Sequence, residues 1–318
     1  GTVPKNDDVT PPPSARDSGR MPSTVIVFRV HSWSLALARR FSRLANESRE
    51  VAAVYVLIDT TPGSPVELKW RRLCERVGAQ VETFQLSKLA AILGYPPMAP
   101  PRVVPGSCDF PMTWFAQRHD FEHYWATEGD IEFTGDWGEL VRRLAHHRAD
   151  LIVTNDYRTR QQHPQWFYWS EFCTPGLDES HHLHAEMQLF RATREALLAA
   201  HAARSEGWRG HHESLIPTAN ATAGRVVQQL DVACHEVGWS EFQSVVTWDF
   251  ERTRADRSTA VRRPTLLHPV KKPWVYDGAR WIFVPAPRDL PRYLGQWRPP
   301  VGRRTRAALG KIKRRVLR

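Results

Sequence analysis

The chain has 318 residues, 42% of them hydrophobic, with 13 tryptophans and a formal charge of +10. That length and apolar content can fill the core of one large or two small domains, which excludes a wholly disordered chain. No apolar run approaches the roughly 20 residues of a membrane-spanning helix, and the N-terminus lacks the basic-then-apolar pattern of a secretory signal.

The excess charge does not describe the body. Residues 290–318 hold ten Lys/Arg and no Asp/Glu, which accounts for all of it. A neutral body argues against a specific nucleic-acid partner. Cys74, Cys108, Cys173 and Cys234 show no CxxC spacing, so neither a zinc knuckle nor a disulfide framework is expected, and a reducing, cytoplasmic setting fits.

Residues 1–22, rich in Pro, Ser and charge, carry too little apolar surface to order themselves and read as a disordered extension. Met21 offers an alternative start. The run "TVIVFRV" then reads as a strand buried on both faces, Leu37, Phe41 and Leu44 as a helical stripe, and "VAAVYVLID" as a second strand. Val66, Trp70, Leu73, Cys74 and Val77 form the stripe of a second helix that stops at Gly78, and "QVETFQL" alternates as a third strand. Strand–helix alternation of this kind predicts an α/β fold with a mostly parallel central sheet flanked by helices.

Residues 90–112 are rich in proline and read as a long connection. "HYWAT" predicts a fourth strand. Asp136 and Glu139 stand as cap and third residue of a helix bearing Trp137, Leu140, Val141 and Leu144, and "ADLIVTN" returns to the sheet. Further helices are expected over 185–201 and 223–237. The tail 290–318 ends in "RRTRAALGKIKRRVLR", which reads either as a solvated, disordered tail or as a basic helix with Leu309, Ile312 and Val316 on one face, suited to an anionic membrane surface.

The chemistry concentrates behind the fourth strand. Glu128, Asp130 and Glu132 occupy alternate positions, with Gly129 to ease the turn. On an extended backbone their charges share one side and repel unless a cation or solvent relieves them. Mg2+ or Mn2+ would, taking one or two carboxylates and completing its shell with phosphate and water. Glu132 and Asp136 read more simply as solvated or capping residues. In open α/β sheets ligands gather at the carboxyl ends of strands, where Arg29, His31 and Asp59 also fall.

The element "EGD" within "YWATEGDIEFTGDW" resembles the metal-binding DxD motif of GT-A fold glycosyltransferases, with Glu128 in place of the first Asp. Two further segments follow in the order that resemblance requires. "GWRGHHESLIPT" places Glu213 where inverting members carry a general base, ahead of a Pro-Thr turn, and "PTLLHPVKKP" places His268 where a C-terminal histidine completes the metal shell. The resemblance spans roughly residues 24–273.

It implies a Rossmann-like nucleotide-binding half (about 23–155) and an acceptor half (about 156–289). It also implies a nucleotide-diphosphate sugar as donor, and a hexosyl or N-acetylhexosaminyl transfer to a hydroxyl acceptor in glycan biosynthesis. Asp130 and His268 would ligate the metal, with Arg29, His31, Asp59, Glu128 and Lys271 around the nucleotide. "HPQWFYWSEF", with Trp166 to Trp169, offers a sugar-stacking wall or core packing.

Two other readings remain. The histidines of "HHLHAE", with His211 and His212, could serve a zinc-dependent hydrolase, although His184 and Glu186 stand where cap or surface roles are expected. A non-catalytic protein could bind RNA, DNA or membrane through its basic tail, with strong salt dependence.

Overall fold

The computed structural model describes residues 23–60, 66–96, 108–246, 263–270 and 274–283. The N-terminal extension, Lys271 and the basic tail lie outside these residues.

The first half follows its periodicity closely. β1 (Thr24–Val30), α1 (Leu35–Ser48), β2 (Ala53–Asp59), α2 (Val66–Val77) and β3 (Gln80–Phe84) form two successive strand–helix–strand crossovers of one sheet, with β1 parallel to β2 and β2 parallel to β3. α1 begins where Ser34 accepts a hydrogen bond from the Leu37 amide at 3.1 Å. α2 stops where Gly78 adopts φ +71, a conformation open to glycine at no steric cost.

The expected long connection over 90–112 is shortened at both ends, and its residues 97–107 lie outside the described residues. The third strand ends at Phe84, and α3 (Leu86–Ile92) starts at once, its first amide bonded to Asp59 Oδ1 at 3.2 Å. α4 (Asp109–Arg118) begins inside the proline-rich region and buries Phe110, Met112 and Phe115. β4 (His123–Glu128), β5 (Glu132–Phe133), α5 (Trp137–Leu144) and β6 (Leu151–Val153) follow, with Asp136 accepting from the Glu139 amide as cap of α5.

Two expected helices are largely strand at their start. Residues 185–193 belong to the hairpin β7 (Asn155–Thr159) and β8 (Leu183–Glu186) and to β9 (Leu189–Thr193); the helix α6 begins only at Arg194 and runs to Ser205. Strand β9 inserts antiparallel between β4 and β6 and is covered on both faces, so its residues alternate in no visible way. Arg191 is tolerated there because its guanidinium donates to the carbonyls of Leu144, Ala149 and, at 2.9 Å, His147, satisfying the end of α5. α7 (His212–Thr222) carries Pro217 within the helix rather than in a turn. β10 (Val227–Gln229) precedes α8 (Leu230–Glu236), so the second expected helix is half its predicted length.

The central sheet has the order β10-β6-β9-β4-β1-β2-β3, parallel except for β9. Alternate residues of β1 feed two cores. Ile26, Phe28 and Val30 pack with α1, α2, α5 and α8, whereas Val25 and Val27 pack with α4, α6 and α7. A second sheet, β11 (Gln243–Val246), β12 (Thr265–His268) and β5, stands beyond the carboxyl end of β4, and β13 (Trp274–Tyr276) pairs with β14 (Trp281–Phe283) next to α1.

Candidate functional site

β1 is the strand from which the chain leaves in both directions, to β2 on one side and β4 on the other, and the crevice at such a reversal is where open α/β sheets bind ligands. Arg29 pairs with Glu128 in the β1–β4 register, and their side chains approach to 3.6 Å. β4 ends at Glu128. The turn through Gly129 and Asp130 leads directly into β5, which pairs antiparallel with β12.

That pairing brings a distant histidine home. Leu267 lies opposite Glu132, and the Val270 amide donates to the Asp130 carbonyl at 2.8 Å. His268 Nε2 thereby stands 3.4 Å from Asp130 Oδ1 and 3.7 Å from Glu128 Oε2. One ligand atom from each of the three lies within 4.8 Å of the others. Two carboxylates and an imidazole gathered so closely fit a divalent cation that completes its shell with phosphate and water.

Arg40 locks the turn. Its Nη1 donates to the Gly129 carbonyl at 2.8 Å, its Nη2 to the Val270 carbonyl at 2.7 Å, and its Nε to Glu132 Oε2 at 2.9 Å. Glu132 therefore does not share a side with Glu128 and Asp130, nor is it solvated as a simple surface acid would be. It is 2% exposed and ion-paired to Arg40, with its carboxyl pushed above the usual range by burial. Gly129 has no positive φ; a Cβ there would meet Leu37 Cδ2 at 2.6 Å, so close approach and not backbone freedom favours glycine.

Behind the cluster lie two more carboxyls. Glu213 sits in the first turn of α7, where the His211 ring caps its amide at 3.3 Å, and its Oε1 accepts from the Met187 amide at 3.2 Å and from Gln188 Nε2 at 3.0 Å. The same Gln188 amide donates to Glu186. Burial, then the neighbouring Glu186, hold the Glu213 carboxyl well above its ordinary range, and burial raises Glu186 as well. Burial thus biases both carboxyls toward their protonated form, Glu213 more strongly, while the shared Gln188 amide works against it at Glu186. Glu128 adds its charge to both, and His268 offsets part of it at Glu186.

A cavity of about 440 Å3 opens beside this group, lined by Asn155, Asp156, Tyr157, Arg158, Glu186, Gln229 and Val246. Val246 stands opposite His268 in the β11–β12 ladder, so the cavity borders the ligand cluster. Tyr168 stacks on His211 at 4.1 Å and Trp166 on His184 at 4.9 Å, whereas Trp169 is core and Phe167 projects to solvent.

The sequence-level candidates are thus sorted. Asp130, His268, Glu128 and Arg29 meet, with Glu213 behind them. His31 is exposed at the end of β1, and Asp59 caps α3. The histidines of "HHLHAE" do not gather with His211 and His212. His181 is exposed, His182 bonds Thr174 Oγ1 at 2.7 Å, and His184, far from a surface cap, is 1% exposed on β8 beside Asp156 and His163. Glu186, Gln188 and Arg40 escape pattern reading: the first two lie in a stretch that reads as helix, and Arg40 looks like any polar residue of an amphipathic helix.

The strand order defines an α/β protein, with a carboxylate–histidine cluster at the carboxyl end of β4. No protein-family model and no curated protein matches the sequence. Among solved structures, the chain is similar to apo mouse xyloside xylosyltransferase 1, at 13% identity over 77% of this chain and 95% of that one, with a TM-score of 0.43. It is also similar to the 4-diphosphocytidyl-2C-methyl-D-erythritol synthase of Anaerococcus prevotii, at 7% identity over 65% and 87%, with a TM-score of 0.40. Scores this low carry no functional argument, and the α/β class rests on the strand order itself.

Proposed function

We propose that the chain is a GT-A-type glycosyltransferase that moves a sugar from a nucleotide-diphosphate donor to a hydroxyl acceptor. The observation that carries this reading is the meeting of Glu128, Asp130 and His268 at the carboxyl edge of β4, within 4.8 Å and beside a cavity. These residues would hold Mn2+ or Mg2+, and the cation would supply Lewis-acid stabilisation of the departing diphosphate.

The chain's own groups do the rest. Arg29, at the end of β1 beside Glu128, adds positive charge where the diphosphate would lie. Glu186 faces the cavity and Gln188 ties it to Glu213, so the acceptor proton enters this carboxyl pair, with Glu213 its buried member. General-base assistance of that kind contributes roughly 10²–10⁴-fold in rate. A base set opposite the leaving group favours direct displacement with inversion. Residues 23–155 serve the donor and 156–289 the acceptor. Lys271 would add a phosphate contact, and the basic tail would hold the protein at an anionic membrane carrying the acceptor. No described helix is long and apolar enough to cross a membrane.

A donor panel with nucleotide release as readout tests the reading, run with and without chelator and with Glu213→Gln. Donor-specific release that chelator abolishes and the substitution reduces by at least tenfold is expected. Chelator-insensitive release removes the metal, unchanged release in the variant removes the base, and no release from any donor removes the transferase.

A further inference from the structure

A second cluster lies on the other side of the cavity. Asp156 is on β7, His184 is on β8 opposite Arg158, and His163 returns from the loop after β7, its amide bonded to the Thr159 carbonyl at 3.1 Å. His163 Nδ1 is 2.8 Å from His184 Nε2, and Asp156 Oδ2 is 3.7 Å from each of these nitrogens. Such a triangle has a point about 2 Å from all three corners, the length of a zinc–nitrogen or zinc–oxygen bond.

We propose that Asp156, His163 and His184 form a binding site for a divalent transition ion of the imidazole-preferring class, Zn2+ above all, separate from the cation at Glu128, Asp130 and His268. The two donor sets differ in kind. One imidazole with two carboxylates suits Mg2+ or Mn2+, whereas two imidazoles with one carboxylate suit zinc and its neighbours.

The surroundings aim the ligands. Asp156 Oδ1 is ion-paired with Arg158 Nε at 2.6 Å, which leaves Oδ2 toward the two rings. The β7–β8 register shifts between Asn155 and Arg158, and Asp156 takes φ +53, the one positive φ of a non-glycine among the described residues. An Asp tolerates that conformation better than most residues but at a cost, and here it redirects a carboxylate toward two histidines. The His184 ring is held by stacking against Trp166, and Trp169 Nε1 donates to the His163 carbonyl at 2.8 Å, which fixes the backbone that carries the second imidazole. Three protein ligands leave a fourth position, and Asp156 forms part of the cavity wall, so that position takes water or an oxygen of whatever occupies the cavity.

The test uses the full chain, stripped with chelator and titrated with Zn2+ and, for its visible absorption, Co2+. We expect one ion whose binding persists in His268→Ala and weakens by at least tenfold in His163→Ala and in Asp156→Asn. The His163 side chain is half-exposed and Asn also tolerates a left-handed backbone, so both variants should fold, as circular dichroism will check. Absence of tight Zn2+ or Co2+ binding, binding unaffected by both substitutions, or equal loss in His268→Ala would each overturn the proposal. None of these readouts depends on transferase activity.

Discussion

Glu128 and Asp130, compared with Glu132, show how far apart neighbouring acids can end. All three belong to one short run, yet the first two face His268 across an ion-sized gap while Glu132 is sealed against Arg40 in the interior. The strand stops at Glu128, a turn intervenes, and Glu132 restarts on β5 in a different sheet. Repulsion between the open acids would be relieved by a cation held in the proposed site. That of the buried acid is relieved by a permanent partner whose remaining donors hold the turn. The sealed pair therefore supports the open site.

The largest expected effect follows from breaking the sealed side. Arg40→Met leaves Glu132 in the core with only the more distant Arg43 guanidinium, at 3.9 Å, as its cation and should destabilise the fold by about 3 kcal/mol in urea unfolding. Adding Glu132→Leu should recover part of that loss. A double variant no better than the single would show that the bonds to Gly129 and Val270 matter more than the ion pair.

Breaking the open side should do the reverse. Asp130→Asn and His268→Ala should each weaken Mn2+ binding by more than about 100-fold, beyond the roughly 10–100-fold that loss of a supporting contact costs. Stability should change little. Unaltered Mn2+ affinity in both variants would place the cation elsewhere.

His211 sharpens the contrast with a sealed group that has no opposite charge fully paired to it. Burial first, then Arg204, lower its imidazole to about 3, while the unfolded chain takes up its proton near the ordinary 6.5. Between these values the unfolded state binds more protons, so the native state loses stability as pH falls from 6.5 toward 3, by at most about 1.4 kcal/mol per pH unit. His211→Asn keeps a capping residue and removes the titration. The wild type should lose stability faster than the variant from pH 7 to 4, and parallel curves would contradict this.

The smallest effect belongs to the turn. Gly129→Ala must displace the Leu37 methyl and should cost about 1 kcal/mol, the low end of overpacking. A neutral result in thermal unfolding would mean that Leu37 moves freely.

Legibility followed the same division. Where one face of an element is solvated, as in α1 and α2, or where a run is apolar and β-branched, as in β1 and β2, local pattern gives type and bounds to within a few residues. It fails at β9, whose two faces are both covered and whose Arg191 is satisfied only by carbonyls of another segment. Asp130 and His268 were visible as residue types in order. Glu186 and Asp156 were not, since nothing local distinguishes an acid that lines a cavity from a surface acid.

The sequence by itself determined the alternation of strands and helices, the neutral body, and the acid-turn-acid element behind a strand, because these depend on side-chain period and on charges counted along the chain. Only the tertiary structure decided which acids meet a histidine and which are sealed, because pairing β5 with β12 and β7 with β8 joins segments far apart in sequence. Whether a carboxylate is a ligand or a buried partner depends on what lies across the gap.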